Sequence, residues 1–315
     1  MGLILDDFVV FNDQGLYCRY GDFYLDPKRP VHRAVISHAH ADHAIAGNRL
    51  VYCTVPTEVV MKYRYGKRYA YECISHGYNE SFSIQDVHIT FLSAGHIIGS
   101  AQVLLEYQGV KYLYSGDYKL QIDATCQKID FVEADVFITE STFANPAIKH
   151  PEDEQEIKKL NNTPYNMLLG VYALGKAQRV NWLINKHCPE RKVLVHRSIL
   201  PLHKIYEEFG VTNLRYQPYE RRLMKHQAEG YVYLVPPLTF NGYSEGKNLL
   251  RAFASGWKQL QNLNDISLYI SDHVDWEDIL YTIKKINPRQ VWTLHGDGRH
   301  LREYFKDKIQ VKLLH

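Results

Sequence analysis

The stretch SHAHADH, residues 37–43, directly follows the apolar run AVI (34–36) and places three histidines and an aspartate within six positions. His38 and His40 are two residues apart on an extended segment, so their side chains point to one face; Asp42 and His43 lie on the turn beyond. Neutral imidazoles and a carboxylate suit zinc, and four ligands on one loop exceed what a single open catalytic metal needs. The alternative is a histidine-rich surface loop, but HxHxDH arises by chance in roughly one chain in several hundred. The stretch therefore predicts a site for two metal ions.

Two more candidate ligands follow at the ends of predicted strands. His96 lies in AGH, between turns of small residues, and Asp117 ends the turn SGD. A single histidine after a strand is usually an ordinary surface or core residue, and SGD turns are common. Each residue is a candidate only in combination with the histidine loop.

Composition limits the remaining possibilities. The chain has 315 residues, 45% hydrophobic and 23% charged, which is typical of a globular protein larger than one average domain. Its net charge of +2 means that any polyanion must be bound by local basic patches. The five cysteines are scattered without a CxxC pair, which argues against a disulfide framework and a cysteine zinc site. The N-terminus lacks a basic region and no apolar stretch reaches about 18 residues, so we expect a cytoplasmic protein without membrane contact.

The pattern along the chain changes twice. The first 145 residues predict short strands, with hairpin turns at Asn12–Gly15 and Tyr107–Gly109. A charged run follows residue 146, and beyond it apolar residues with helical spacing predict a helix: Leu168, Val171, Leu174, Val180, Leu183 and Ile184. The last part, from residue 263, predicts strand, helix and strand, with Asp275 as the helix N-cap.

HxHxDH, AGH and SGD, in this order, resemble the metallo-β-lactamase superfamily. The resemblance implies an α/β fold, a four-layered αββα sandwich. It also implies that Asp26 of FYLDP supports the metal ligands by hydrogen bonding.

Three later segments resemble motifs A, B and C of the β-CASP branch, whose members are nucleases. These segments are ITESTF (138–143), SDHVD (271–275) and TLHGD (293–297), and YALGKAQR (172–179) resembles a helix of that branch's inserted domain. The implied organisation is a metallo-β-lactamase core at 1–145 and 263–315, with an α/β β-CASP domain inserted at 146–262 and the active site in the cleft between them.

Several stretches also resemble the bacterial exonucleases associated with ATP-dependent DNA ligases, which are mRNA 3′-end processing factor-like. They are GLYCRYGDFYLDP, SHAHADHA, AGHIIGSAQ, SGDYK, ITESTF and YALGKAQR.

The branch's residue roles transfer by position. One metal would be held by His38, His40 and His96, and the other by Asp42, His43 and His295, with Asp117 and a hydroxide bridging them. The metals implied are two divalent ions, zinc first and manganese second. His273 would be the general acid for the leaving oxygen, Glu140 would hydrogen-bond it, and Asp42 belongs to the same catalytic group.

Two basic segments are candidates for substrate binding. KYRYGKRYAY (62–71) alternates tyrosines with Lys62, Arg64, Lys67 and Arg68, as a contact with single-stranded nucleic acid would, or as a solvated helix with inward tyrosines would. Lys176 and Arg179 share one helix face, which would either contact phosphate or be solvated.

We expect a DNA exonuclease acting in repair, functionally associated with a DNA ligase or helicase. The alternative is an RNA-processing endo- or exoribonuclease, because the branch's RNA-acting members carry histidine in motif C, here His295. A non-catalytic nucleic-acid-binding scaffold and a hydrolase of small molecules are the remaining possibilities. The seven retained ligand positions disfavour the first, and motifs A to C disfavour the second.

Overall fold

The computed structural model describes residues 2–225, 230–244, 249–262, 264–296 and 298–314. Its strands, in chain order, are β1 (Val9–Asn12), β2 (Gly15–Cys18), β3 (Phe23–Leu25), β4 (Arg33–Val35), β5 (Asn48–Thr54), β6 (Ala70–His76), β7 (Ser81–Ile84), β8 (Val87–Ser93), β9 (Ala101–Tyr107), β10 (Val110–Tyr114), β11 (Val136–Glu140), β12 (Asn166–Gly170), β13 (Lys192–Val195), β14 (Gln217–Pro218), β15 (Tyr231–Val235), β16 (Leu249–Ala254), β17 (Ile266–Leu268), β18 (Gln290–Leu294) and β19 (Gln310–Leu313). The α-helices are α1 (Val55–Tyr65), α2 (Asp153–Lys158), α3 (Lys176–His187), α4 (Leu200–Glu208), α5 (Arg221–Lys225), α6 (Pro237–Gly242), α7 (Trp276–Ile286) and α8 (Arg299–Tyr304). Short 3₁₀ helices cover Gly66–Arg68, Lys159–Asn162 and Lys258–Gln261.

The chain divides into two compact units. The first contains Met1–Ile122, Cys126–Lys149 and His273–His315, and the second contains Asp123–Thr125 and His150–Asp272. This division differs from the expected boundary at residue 262, because β17 pairs in parallel with β16 and so extends the sheet of the second unit.

Two sheets form the first unit. One has the strand order β1-β2-β3-β4-β5-β6, and the other has the order β19-β18-β11-β10-β9-β8-β7. Both predicted hairpin turns are present: Asn12 pairs with Gly15 between β1 and β2, and β9 turns into β10 through Gln108 and Gly109, both with positive φ. Two such residues are what a tight two-residue hairpin requires.

Apolar side chains link these sheets to each other and to helices. One buried cluster contains Leu16 from the first sheet and Tyr112 from the second. Met61 of α1 packs with Val51 of the first sheet, and Ile279 of α7 packs in a cluster with second-sheet residues. The α/β class is confirmed, and the four-layered order stays a prediction.

Helix α7 begins after the N-cap residue that its sequence predicts. The Asp275 side chain accepts a hydrogen bond from the Asp278 N–H, and Asn287 ends the helix in the left-handed conformation (φ 53°). The helix thereby connects His273, just before it, to strand β18.

The second unit contains one sheet of parallel strands, in the order β14-β13-β15-β12-β16-β17. The helix predicted from Leu168 onward is wrong in its first part, since residues 166–170 form β12 and helix α3 begins only at Lys176. Every residue of β12 is buried, and a strand buried on both faces does not alternate in polarity, so its apolar run resembles a helix.

No helix in the described ranges is both long and apolar enough to cross a membrane.

Candidate metal centre

The candidate ligands of the first unit follow strand ends. His38 to His43 follow β4, His96 lies between β8 and β9, and Asp117 follows β10. Since β10, β11 and β18 are parallel neighbours, their carboxyl ends, with Asp117, Glu140 and His295, reach the same edge of the sheet.

Three imidazoles converge at this edge. The His40 Nδ1 atom lies 3.1 Å from the His38 Nε2 atom and 3.1 Å from the His96 Nε2 atom. The Asp117 Oδ2 atom lies 3.5 Å from His38 Nε2 and 3.8 Å from His96 Nε2. Zinc bonds of about 2.0–2.1 Å in a tetrahedron place ligand atoms roughly 3.3 Å apart. The four donors therefore match both the chemistry and the spacing of a zinc site.

Glycines permit two of these ligands to approach. Gly95 precedes His96 with φ 72°, and a side chain there would lie 2.4 Å from the Lys119 carbonyl oxygen. Gly116 precedes Asp117 with φ 54°, and a side chain there would lie 2.8 Å from Ser37. The small residue before each ligand in AGH and SGD is thus a steric requirement.

The Asp26 carboxylate orients the histidine loop through hydrogen bonds. Its Oδ1 accepts a hydrogen bond from the Ser37 N–H (2.7 Å), and its Oδ2 lies 2.8 Å from His43 Nδ1 and accepts from the Tyr114 hydroxyl (2.9 Å). A carboxylate on Nδ1 fixes the ring so that Nε2 is the ligating nitrogen. Ser37 and Tyr114 were not predicted as site residues, and nothing in their sequence context distinguishes them.

The second predicted ligand set is more open. His43 Nε2 lies 3.5 Å from Asp117 Oδ2 and 3.8 Å from Asp42 Oδ2, but the Asp42 side chain is 80% exposed. His295 is exposed, and its ring centroid lies 5.9 Å from that of His43. Among the described residues, neither Asp42 nor His295 belongs to a compact group of potential ligands.

The charged and buried groups at the centre shift one another's pKa values strongly. Burial opposes protonation of His43, but Asp117 and Asp26 outweigh it and raise its pKa to about 10. Burial, and then the neighbouring His43, lower the pKa of His38 well below its usual value. Burial alone would raise the pKa of Asp117, yet His43 and His273 hold it well below its usual value. A negative field that favours a proton on His43 also favours a divalent cation, which would displace that proton.

Glu140 and His273 form a second arrangement beside Asp117. His273 Nδ1 lies 2.9 Å and 3.1 Å from the two oxygens of the buried Glu140 carboxylate, and 3.9 Å from Asp117 Oδ2. The Thr142 hydroxyl and the Tyr118 N–H also donate to Glu140. The carboxylate is held in place, and it orients a histidine whose side chain is 28% exposed.

The basic segment after β5 divides into two kinds of residue. Arg64 donates to the Ala39 carbonyl oxygen at 2.6 Å, and the Tyr65 hydroxyl donates to the Ala44 carbonyl oxygen at 2.7 Å, so the end of α1 braces the histidine loop. Lys62 is exposed and pairs with Glu58 at 2.8 Å. The remaining two cations, Lys67 and Arg68, are exposed on the short 3₁₀ helix.

The alternative interpretation, a solvated helix, required the tyrosines of this segment to pack inward. Not all of them do. Tyr65 and Tyr69 are partly buried against the core, whereas Tyr63 and Tyr71 are exposed.

Lys176 and Arg179 are buried. This corrects both interpretations of their helix face, since the two side chains are neither solvated nor accessible to a phosphate. They are 2% and 4% exposed. Lys176 pairs with Asp272 at 2.9 Å, and Arg179 pairs with Asp153 and lies 3.8 Å from Asp123. The partners are distant in sequence, so the helical spacing could not reveal them.

Two known proteins are similar to this chain over most of its length. No protein-family model matches the chain. The chain is similar to a probable DNA ligase of Opitutus terrae, at 27% identity over 311 residues covering 93% of this chain and 30% of the ligase. It is also similar to an RNase J-like protein of Methanocaldococcus jannaschii, at 24% identity over 367 residues covering 91% of this chain and 87% of that protein.

A solved structure of a protein of unknown function from Enterococcus faecalis has a TM-score of 0.60 and 14% identity, covering 90% of this chain and 79% of that chain. That likeness concerns the fold alone. The chain spans less than a third of the ligase and most of the RNase J-like protein. Together, the relatives confirm the resemblance to the β-CASP branch of the metallo-β-lactamase superfamily that the motifs indicate.

Proposed function

We propose that the chain is a metal-dependent nuclease that hydrolyses phosphodiester bonds. The observation that carries the proposal is the convergence of His38, His40, His96 and Asp117 at zinc-compatible spacing. These residues would hold one divalent ion. Asp42, His43 and His295 would hold a second, with Asp117 shared between the two.

The residues of the chain divide the remaining work. When bound, the two ions would supply a water activated for attack near neutral pH and offset charge on the phosphoryl oxygens. His273 would donate a proton from Nε2 to the leaving oxygen, because its Nδ1 faces the Glu140 carboxylate. Asp26 would keep His43 oriented, and Arg64 would keep the loop that carries His38 and His40 in place.

For the substrate, we favour DNA and an exonuclease acting in repair. The similarity to part of a probable DNA ligase supports this choice, and it supports a functional association with a ligase or helicase. RNA is the second candidate, supported by the similarity to an RNase J-like protein and by His295 at the motif C position. Zinc or manganese as the working metal, the cleft between the domains and the cytoplasmic location stay predictions.

The substrate can be determined in one experiment. Purified protein loaded with Zn²⁺ or Mn²⁺ is incubated with matched end-labelled single- and double-stranded DNA and RNA, and the product ladder is resolved by gel. We expect DNA to be shortened stepwise from one end. Cleavage of RNA without DNA would overturn the DNA assignment, and cleavage of neither would overturn the nuclease itself.

A further inference from the structure

A cavity of about 550 Å³ lies at the carboxyl edge of the parallel sheet in the second unit. His196 and Arg197 follow the end of β13, Tyr219 follows β14, and Thr239 and Tyr243 come after β15 in and beyond α6. Ligands of open parallel sheets bind beyond the carboxyl ends of the strands, and pockets of 300–1,000 Å³ are typical of small-ligand sites. The position and size of the cavity therefore indicate a binding site.

Tyrosines form one wall of this cavity. The rings of Tyr219 and Tyr233 are stacked, with centroids 4.1 Å apart, and the hydroxyls of Tyr219 and Tyr243 are 3.2 Å apart. Tyr233 is buried in the local core, whereas Tyr219 and Tyr243 are only partly buried. Aromatic rings left partly exposed around an open volume are suited to stacking on a planar ligand.

A cation lies at the rim of the same cavity. Arg197 is exposed, and no described residue accepts a hydrogen bond from it or forms an ion pair with it. This distinguishes it from Lys176 and Arg179 in the same unit, which are paired with carboxylates. A guanidinium beside aromatic rings, with no carboxylate partner among the described residues, fits a ligand that carries both an anionic group and a flat ring system.

We propose that this cavity binds one nucleotide unit, with its base against Tyr219 and Tyr243 and its phosphate at Arg197. The proposal rests on the proposed function only in taking a nucleic acid strand, rather than a free mononucleotide, as the source of that unit. Tolerant stacking on tyrosine suits any unpaired base, so the occupant belongs to a single strand.

Binding is tested without cleavage, in the presence of a chelator. Fluorescence anisotropy measures the affinity of labelled oligothymidylate and oligouridylate for the wild type and for the Arg197→Gln and Tyr243→Ala variants, at several salt concentrations. Unlabelled oligothymidylate, 5′-dTMP and inorganic phosphate serve as competitors. Arg222→Gln is the matched control, since Arg222 is an exposed arginine of the same unit paired with Glu220.

We expect Tyr243→Ala to weaken oligonucleotide binding roughly 5- to 100-fold at every salt concentration, the range for one base stacked on an aromatic ring. Arg197→Gln should lower the slope of log affinity against log salt by about 0.7, the contribution of one phosphate on a single strand. Arg222→Gln should bind like the wild type, and an oligomer that binds better than 5′-dTMP supports the strand as source.

Displacement by 5′-dTMP at lower concentration than by the oligomer would overturn the strand as source. Displacement by phosphate alone at similar concentrations, or wild-type affinity in both variants, would overturn the site. Cleavage by the metal-loaded protein is scored separately, so cleavage with unaltered binding in the variants refutes this site and leaves the nuclease standing. Binding that depends on Arg197, without any cleavage by the metal-loaded protein, would refute the nuclease and leave this site standing.

Discussion

Replacing Asp26 by Asn should weaken zinc binding without disturbing the backbone. Asp26 has φ 42°, a conformation that Asn adopts at least as readily as Asp. The amide can keep an oxygen toward the Ser37 N–H. It then places an NH₂ group against the His43 Nδ1–H and the Tyr114 hydroxyl, which both face Oδ2 in the native protein. The variant therefore removes the carboxylate that supports His43, together with the acceptor of the Tyr114 and Ser37 hydroxyls.

The expected loss of zinc affinity follows from the contact between Asp26 and His43. A hydrogen bond to a charged group contributes about 1.5–3 kcal/mol, which corresponds to roughly a 10- to 100-fold fall in affinity for the ion that His43 holds. Competition of the protein with a chromophoric chelator for Zn²⁺ at neutral pH measures this fall. Circular dichroism of the same samples checks that the variant is folded.

The matched control is Asp22→Asn. Asp22 also has a positive φ, 52°, but its exposed carboxylate binds the Tyr17 hydroxyl and the Arg33 guanidinium. The control should bind zinc like the wild type. If Asp26→Asn also bound zinc like the wild type, the role assigned to Asp26 would be refuted.

Three more predictions concern other contacts. Arg64→Met removes the bond to the Ala39 carbonyl, so zinc affinity in the same titration should fall about fivefold, since one hydrogen bond contributes about 1 kcal/mol; unchanged affinity would contradict the bracing role. Lys176→Met leaves the buried Asp272 carboxylate poorly compensated and should lower the free energy of unfolding of the second unit by about 3 kcal/mol in urea titrations; an unshifted transition would show that the pair is not stabilising. Burial lowers the pKa of His203 from 6.5 to about 4, so the unfolded chain takes up a proton that the folded chain refuses, and stability should fall by about 3 kcal/mol from pH 7 to pH 4. His203→Gln should flatten this pH dependence, and an equal slope in both proteins would argue against it.

The proximity of His38, His40, His96 and Asp117 could be predicted because the sequence signals are local. His38 and His40 alternate on one short extended segment, and Gly95 and Gly116 precede their ligands for steric reasons. Strand ends could also be located from turn residues, which placed Asp117 correctly after β10.

Contacts between distant segments could not be predicted in this way. Arg64 lies on an apparently solvated helix end, and only the fold brings it to the carbonyl of Ala39. The sequence predicts Lys176 and Arg179 to be surface cations. Helical spacing indicates which residues share a face, but it does not indicate which carboxylates cover that face. The tyrosine cavity beside Arg197 likewise exists only once parallel strands bring their carboxyl ends together.

The central claim is that the ion held by His38, His40, His96 and Asp117 is required for phosphodiester hydrolysis. The most direct test measures bound zinc and the rate of cleavage of end-labelled single-stranded DNA and RNA for the wild type, His38→Ala and the control His88→Ala. His88 is an exposed histidine of β8 that bonds Ser83, and it belongs to none of the groups of potential metal ligands among the described residues. We predict that His38→Ala loses both zinc and cleavage while His88→Ala keeps both; cleavage by His38→Ala at the wild-type rate would contradict the account.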